Sequence, residues 1–323
     1  MANTITNFLN TVAATVQSTK FTQDLAPHAA FLSCTTMNPV EPTVKAVNDV
    51  VNIPLPTLSG SWVDHQSSTV TAGDIANTPI AVTLNKTPTR TIKLTSQEIS
   101  RMPESPALLQ RTIGIALLEL LDTASSSIGA LFTTTNFDVT GNTNRTADTG
   151  EDYVTRAQLV NLWGVLATRK IPVSDTGNLF AVTHPTIYAK WTNDDDFTKA
   201  SSIGDAYASA MRVSGNLVPI NNLLPLYDSQ APTTLSGASY TTAVFHRNAT
   251  WAQFAYPEAP LSNAVDYRYT VFNGIPVLMV LTYDTNLGAT GGAFNTLTMS
   301  TLWNYGVGRK NHAVLDLTPE DAA

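Results

Sequence analysis

The longest regular pattern of apolar and polar positions lies between residues 105 and 132. Its apolar side chains recur every three or four residues, at Leu109, Ile113, Ala116, Leu120, Ala124, Ile128 and Leu131. This period places them on one stripe of a helix, and the other face is polar, with Gln110, Arg111, Glu119, Asp122, Ser125 and Ser126. Ser105 suits the N-cap, and Pro106 suits the first position because its missing N–H would be unpaired anyway. We expect a helix of roughly 40 Å that packs one face against a sheet.

Two further patterns precede this helix. Residues 1–17 carry Ile5, Phe8, Leu9, Val12 and Val16 at helical spacing, and this stretch is expected to lie along another part of the protein. Residues 47–55 and 78–84 are extended apolar runs on either side of a loop rich in Gly, Ser and Thr, which predicts a β-hairpin arm. Because an isolated two-stranded hairpin is barely stable in water, the arm predicts a supporting surface on a neighbouring subunit.

The remaining elements are shorter and follow an α/β alternation after a polar crossing at residues 133–152. Strands are predicted at 89–94, 179–184, 215–220, 223–227, 240–246, 275–283, 295–304 and 305–314. Short helices are predicted after the capping boxes at Thr95 and Thr155, after Pro185, and at 206–211 and 248–254. The run 275–283 is the most apolar and predicts a central strand. The last two strands are expected to return to the sheet beneath the long helix.

Composition narrows the classes of function. The chain has 323 residues, 43% of them apolar, so it can build a substantial core. Only 13% are charged and the net charge is -7, which argues against general affinity for nucleic acid. Cys34 is the single cysteine, which excludes a disulfide within the chain and fits a reducing compartment. No basic and apolar leader and no apolar run of membrane-spanning length is present, so neither secretion nor membrane insertion is expected.

Three stretches carry a family resemblance when their order is considered. VVNIPLP leads into the hairpin, TIKLTSQEIS precedes the long helix, and ALLQRTIGIALLELLDTASSSI lies within it. The C-terminal part adds VFHRNATWAQFAYP, NGIPVLMVLTYD and STLWNYGVGRKNHAVLDLTP. Over essentially its whole length, the chain resembles the major capsid (coat) proteins of tailed bacteriophages, which have the Hong Kong 97-like fold.

The resemblance implies an α+β fold with a fixed order of parts. These parts are an N-terminal arm at 1–50, an E-loop hairpin at 51–88, a P-domain at 89–150 with its spine helix at 105–132, an A-domain at 151–283, and return strands of the P-domain with the C-terminus at 284–323. It also implies a structural role without enzymatic activity. Copies of the chain would form pentamers and hexamers of an icosahedral shell around double-stranded DNA, in virions assembled in the host bacterial cytoplasm.

The family also suggests partners and alternatives. We expect a separate scaffolding protein, since the segment before the hairpin is too short for a scaffolding extension, together with a portal protein and, optionally, a cement or decoration protein. Packaged DNA would be contacted weakly and without sequence preference, and no membrane is involved. An encapsulin-type nanocompartment shell, which shares the fold, is the alternative. A small-molecule hydrolase is the alternative from a different class, although no convergent polar constellation supports it.

The working residues of such a protein are interface residues. In the hairpin and N-terminal arm the candidates are Trp62, Val63, His65, Val70, Ile75, Phe8 and Phe31. Some members of the family crosslink neighbouring subunits through a hairpin lysine. Lys86, the only lysine in this hairpin, lies at its base, which argues against crosslinking.

Other polar motifs favour ordinary structural roles, and we predict no catalytic residue, cofactor or metal site. The run Asp194 to Asp196 lacks the alternating spacing of a cation loop, and the sequence from Asp284 to Gly288 lacks the distal Glu of a calcium loop. The five histidines, His28, His65, His184, His246 and His312, show no zinc-ligand spacing. The stretch from Gly306 to Lys310 departs from a phosphate loop, and Cys34 has no neighbouring base.

Overall fold

A computed structural model of the chain describes residues 2–17, 29–38, 41–58, 75–95, 106–139, 153–174, 177–199, 217–231, 239–259, 264–284 and 294–319. Its helices are α1 (Ala2–Val16), α2 (Ala30–Ser33), α3 (Pro106–Gly129), α4 (Arg156–Thr168), α5 (Pro185–Asn193) and α6 (Asp195–Thr198), with the 3-10 turns η1 (Arg247–Ala249) and η2 (Lys310–His312). Its strands are β1 (Thr36–Met37), β2 (Glu41–Lys45), β3 (Val50–Leu58), β4 (Ile75–Thr83), β5 (Thr89–Leu94), β6 (Asp138–Val139), β7 (Leu179–Thr183), β8 (Leu223–Tyr227), β9 (Ser239–His246), β10 (Thr250–Pro257), β11 (Ala264–Phe272), β12 (Ile275–Asp284), β13 (Phe294–Ser300), β14 (Leu302–Val307) and β15 (Ala313–Pro319).

The long helix is confirmed as α3, which begins at Pro106 and ends at Gly129. Its buried apolar side chains are Ile113, Ala116, Leu117, Leu121, Ala124 and Ile128. The stripe is therefore wider than predicted. Ser125, which was assigned to the polar face, is fully buried. At the end of the helix, a Cβ on Gly129 would lie 3.1 Å from the Gln230 carbonyl oxygen, so the absence of a side chain allows close docking.

The first sheet has four antiparallel strands in the order β11-β12-β13-β5. The strand predicted at 89–94 is confirmed as β5, and the apolar run 275–283 is an interior strand as expected. Asn273 and Gly274, with φ of 47° and 80°, form the two-residue turn between β11 and β12, the backbone geometry that Asn-Gly favours. One face of this sheet contributes Val277, Met279, Leu281, Leu297 and Met299 to the same core as α1 and α3.

The second sheet has five strands in the order β6-β15-β9-β7-β8 and is covered on both faces. One face, with Phe180, Val182, Ala243, Phe245, Ala313 and Leu315, joins the core of the long helix. The other face, with Leu179, Ala181, Val244 and Val314, packs against α4 and α5. Burial on both faces explains why these strands are nearly continuous apolar runs.

The helices of this half begin where the sequence predicted. Thr155 and Gln158 form a reciprocal capping box at α4, with the Thr155 N–H donating to the Gln158 side chain at 2.8 Å. His184 caps α5, in which Pro185 is the first residue. Both helix starts are thus confirmed, because caps are local signals that tertiary contacts seldom override.

The third sheet has β1, β10 and β14 in that order, with β2 also paired to β10. The prediction of a helix at 248–254 is wrong, because residues 247–249 form η1 and the next eight residues form β10. Four consecutive residues of β10, 252–255, have buried side chains, so the strand lacks the alternation that identifies a one-sided strand.

Only one of the closing strands behaves as predicted. Strand β13 joins β5 in the four-stranded sheet, whereas β14 pairs with β10 and β15 pairs with β9. Strands β10 to β12 also lie outside the five-stranded sheet, so the predicted division at residue 283 does not coincide with a sheet boundary. Residues 217–219 are not a strand, and Ile220 forms a single bridge with Leu223. The predictions at 96–100 and 206–211 lie outside the described residues.

Two adjacent segments connect the third sheet to the five-stranded sheet. One runs from β9 through η1 to β10, and the other runs back from β14 through η2 to β15. They are bonded to each other, because the N–H of Gly308 donates to the Ala249 carbonyl at 2.8 Å and the N–H of Arg309 to the Asn248 carbonyl at 3.1 Å. We call this pair of segments the double crossing.

A buried carboxylate links the long helix to the five-stranded sheet. Asp228, directly after β8, is 2% exposed. Its carboxylate accepts hydrogen bonds from the Ser125 hydroxyl at 2.5 Å, the Phe31 N–H at 3.1 Å and the Gln230 N–H at 2.8 Å. The Phe31 N–H belongs to the first turn of α2, where helical N–H groups lack partners within the helix. Asp228 thus caps one helix while it binds another.

Candidate assembly surfaces

The predicted hairpin arm is confirmed as a two-stranded ribbon of β3 and β4. Nine residue pairs run from Val50 opposite Thr83 to Leu58 opposite Ile75. At about 3.3 Å per residue the described ribbon is roughly 26 Å long. In the described part of the chain these two strands pair only with each other. An isolated pair of strands has little stability of its own, so the base of the ribbon must hold it in place.

The base is held by both packing and hydrogen bonds. Val51, Val82 and Leu84 form a small core with Ala255 and Leu302 of the third sheet. The backbone adds a tight closure, because Asn48 N–H donates to the Leu84 carbonyl at 2.7 Å and Leu84 N–H to the Asp49 carbonyl at 2.8 Å. The first residue pairs of the ribbon are therefore rooted in the body of the chain.

The predicted interface residues fall into two groups. Trp62, Val63, His65 and Val70 lie outside the described residues, and Ile75 is the first residue of β4, opposite Leu58. Phe8 and Phe31 are described and fully buried, and both belong to the core shared with the long helix. These two side chains thus pack within their own subunit and present no surface to a neighbour. The N-terminal helix α1 itself packs against β11 and α3.

Sequence patterns missed an exposed apolar patch at the base of the ribbon. Val44, Val47 and Val50 are 48%, 52% and 49% exposed, although a valine usually prefers burial. The patch adjoins an open groove of about 680 Å³. Its lining includes Val47, Pro257, Leu278, Val280, Thr298 and Ser300. No helical or strand periodicity in the sequence could have identified this patch, because the three valines lie in a strand, a turn and another strand.

A second groove lies between β5 and α3 and has a volume of about 580 Å³. Ile115, 55% exposed, lies on its α3 side, and Ile92 and Lys93 lie on its β5 side. Strand β5 is the edge of its sheet in the described chain. An edge strand beside an exposed isoleucine offers both unpaired backbone groups and apolar area to another chain.

Lys86 is engaged within its own subunit. Its Nζ donates to the Tyr305 hydroxyl and lies 3.7 Å from the centre of the Tyr305 ring. The Lys86 backbone also forms a bridge with Trp303. The amine therefore helps to fix the base of the ribbon to β14.

The acidic motifs have structural roles where they are described. The Asp194 carboxylate caps α6 by accepting from Asp196 N–H at 2.8 Å and also accepts from the Tyr153 hydroxyl at 2.9 Å. Asp195 pairs with Lys199 one turn later. Among the described residues, no group of three or more His, Cys, Asp or Glu side chains is placed to hold a metal ion. The loop after Asp284 and the residues His28 and His65 lie outside the described ranges.

The remaining histidines and Cys34 also have identifiable surroundings. His246 caps η1, and its ring meets that of His312 edge-on, with 5.5 Å between ring centres. Burial, the positive charge of Arg309 and the neighbouring His246 lower the pKa of His312 to about 4. Burial raises the pKa of Cys34 to about 12, so its thiol stays protonated and is a poor nucleophile at neutral pH.

The glycines of the stretch from Gly306 to Lys310 are required by close packing. A Cβ on Gly306 would lie 2.7 Å from the Trp251 ring, and a Cβ on Gly308 would lie 2.6 Å from the Asn248 carbonyl oxygen. Both distances are too short for a side chain. No helix in the described part of the chain is long and apolar enough to cross a membrane.

The chain was compared with known families, curated proteins and solved structures. No family model and no curated protein matches it. Solved structures match over most of their length despite low identity. A chain from Mycobacterium phage Che8 is 12% identical, with 83% of this chain and 84% of that chain covered and a TM-score of 0.52.

Two capsid structures give the same result. For the capsid of cyanophage P-SCSP1u the identity is 12%, the coverage 87% and 85%, and the TM-score 0.54. For the mature capsid of bacteriophage PhiM1 the identity is 10%, the coverage 88% and 85%, and the TM-score 0.50. At such identities the similarity concerns the fold. The chain therefore has the α+β fold of phage capsid proteins, which the order of its sequence elements had predicted.

Proposed function

We propose that this chain is the major capsid subunit of a tailed phage, which assembles with copies of itself into pentamers and hexamers of an icosahedral shell around double-stranded DNA. The observation that carries the proposal is the ribbon of β3 and β4, whose base packs on the third sheet and whose strands, among the described strands, pair only with each other. Beside a folded body with a substantial core, such a two-stranded ribbon is best explained by a supporting surface on another subunit.

The exposed groups around the ribbon support this proposal. The exposed side chains of Val44, Val47 and Val50 and the groove that Val47 lines provide apolar area next to the first residue pair of the ribbon. A head-to-tail contact between a projecting ribbon on one subunit and a body surface on the next is heterologous and closes by rotation into rings. The side chains of residues 59–74 are proposed to add to that contact.

The proposal includes the partners expected from the resemblance. Shell assembly takes place in the bacterial cytoplasm with a separate scaffolding protein, and a portal protein occupies one vertex. A cement protein on the outer surface is optional. The packaged DNA meets the wall without sequence preference, and the subunit has no catalytic role.

Deletion of residues 58–76 tests the assembly role of the ribbon. The shortened subunit keeps the small core at the ribbon base, so it should remain folded by circular dichroism. Electron microscopy and sedimentation should show free subunits or small oligomers in place of closed shells. Normal particles from this deletion would refute the role that we assign to the ribbon.

Substitution of the exposed patch provides a second test. Val47→Asp places a charge in the patch and should reduce the yield of particles several-fold, because an unpaired charge at an apolar contact is costly. Asn161→Asp, at an exposed position of α4, adds the same charge elsewhere and should assemble normally. Equal particle yields from the two variants would remove the patch from the interface.

A further inference from the structure

The double crossing gathers positive charge in a chain that is acidic as a whole. The sequence has 18 Lys and Arg against 25 Asp and Glu. Five of these cations lie in the segments that meet here: Arg169, Lys170, Arg247, Arg309 and Lys310. They come from three distant parts of the sequence, the end of α4, η1 and the segment around η2. A count of charged residues along the sequence would therefore not identify this cluster.

Hydrogen bonds hold these segments side by side. The Arg169 guanidinium donates to the carbonyl of Asn311 at 3.3 Å and to that of Ala313 at 3.2 Å, which ties the end of α4 to η2. The N–H of Arg309 donates to the Asn248 carbonyl, which ties η2 to η1. Lys170 directly follows Arg169 along the chain. These bonds hold the three segments that carry the cations together.

The charge of the cluster is only partly neutralised. Asp138 pairs with Arg169 at 3.0 Å. Lys170, Arg309 and Lys310 are exposed, while Arg169 and Arg247 are half-buried. The three exposed cations, Lys170, Arg309 and Lys310, are consequently accessible to a partner, whereas the Arg247 guanidinium lies 5.5 Å from the centre of the Phe180 ring.

The surroundings distinguish between classes of partner. Asn248, Gly308 and Asn311 are the other exposed residues of these turns. None of the large exposed apolar side chains of the described residues lies in these segments. Protein interfaces need an apolar centre, whereas phosphate contacts need Lys, Arg and Asn side chains and backbone N–H groups. The chemistry of this surface therefore fits a phosphodiester backbone better than an acidic protein.

We propose that Lys170, Arg309 and Lys310 form a contact patch for the phosphate backbone of double-stranded DNA. The identity of that DNA as a packaged genome rests on the proposed shell function, but the contact itself does not. Binding is independent of sequence, since contacts to the phosphate backbone carry no direct sequence information. It is weak, because the net charge of the whole chain opposes it.

Salt dependence of DNA binding tests the patch. The free subunit is titrated with a short duplex of mixed sequence in fluorescence anisotropy at several low salt concentrations. Each phosphate contact contributes about 0.9 to the slope of log K against log salt, so the combined variant Lys170→Gln, Arg309→Gln, Lys310→Gln should lower the slope by about 2.7. The swap Arg309→Lys, Lys310→Arg keeps both charges and should keep the slope.

The matched control removes the same charge elsewhere. The combined variant Lys190→Gln, Lys199→Gln, Arg268→Gln also loses three positive charges and should change the slope by less than about 1. An equal loss of slope in the control would show that the effect depends on net charge alone, and it would overturn the proposal. So would an unchanged slope in the patch variant, or polyglutamate binding that depends on the patch as strongly as DNA binding does.

Particle formation is scored separately by electron microscopy. The patch variant is expected to assemble, because its residues lie away from the ribbon. If the unsubstituted chain bound DNA through the patch but formed no shells, the proposed function would fail and the DNA contact would stand. Shells without patch-dependent DNA binding would support the proposed function and overturn the DNA contact.

Discussion

Replacement of Asp228 by alanine is expected to destabilise the subunit more than any other single change to a polar group described above. The substitution removes a carboxylate that is almost fully buried and leaves three donors behind. Two of them, the Ser125 hydroxyl and the Phe31 N–H, are themselves buried and have no route to bulk water. The third, the Gln230 N–H, lies in a half-buried turn.

The expected magnitude follows from the two buried donors. A buried donor that loses its partner costs about 1–3 kcal/mol, so the pair should cost about 2–6 kcal/mol. A typical domain has a free energy of unfolding of only about 5–15 kcal/mol, so a loss near the middle of that range is large. Ser125→Ala removes one hydrogen bond but leaves the Phe31 N–H its acceptor. It should therefore lower the free energy of unfolding by about 1–2 kcal/mol.

Urea unfolding of unassembled subunits, followed by tryptophan fluorescence, measures these differences. A double-mutant cycle with Ser125→Ala and Asp228→Ala should show coupling, because Ser125 has less to lose once the carboxylate is gone. Asp228→Asn keeps the shape and one acceptor oxygen and should fall between the unsubstituted chain and Asp228→Ala. A loss below about 1 kcal/mol for Asp228→Ala would contradict the reasoning, since it would mean that both donors find other partners.

Three further outcomes are expected. Gly308→Ala should lower the free energy of unfolding by about 1–3 kcal/mol in the same urea assay, because its Cβ would collide with the Asn248 carbonyl oxygen; an unchanged midpoint would show that the double crossing can widen freely. The lowered pKa of His312 means that the unfolded chain binds its proton more readily, so this histidine should make stability fall as the pH drops from about 6.5 towards 4. His312→Gln should flatten that part of the pH profile, and a profile identical to that of the unsubstituted chain would exclude the histidine as its source. Cys34 should react with iodoacetamide in urea but hardly at all in the native subunit at pH 8, as measured by mass spectrometry, because burial keeps its thiol protonated and covered; rapid native labelling would contradict this.

Sequence patterns predicted the elements that have a clear period or a local signal. The long helix, β5, the ribbon strands and the starts of α4 and α5 all depend on interactions within a few residues or on one buried face. Strand β10 was missed for the opposite reason. It is buried on both faces, so residues 248–254 lack the alternation of a one-sided strand and were predicted to be a short helix.

Residues whose role depends on distant partners could not be assigned from sequence. Ser125 is polar yet buried because Asp228, more than a hundred positions away, accepts its hydrogen bond. Phe8 and Phe31 were assigned to an interface because the N-terminal segment has no core of its own. The structure shows that this segment completes the core of the long helix. Apolar character alone cannot tell which copy of a chain covers a residue.

The double crossing limits how the subunit can change shape. Its two segments run in opposite directions and are bonded to each other at Gly308 and Arg309, so neither sheet can slip past the other without breaking those bonds. A change in the angle between the two sheets therefore has to bend both segments together. In the shell proposed above, subunits at positions of different curvature can differ in this angle only to the extent that the shared core adjusts, while every strand register stays intact.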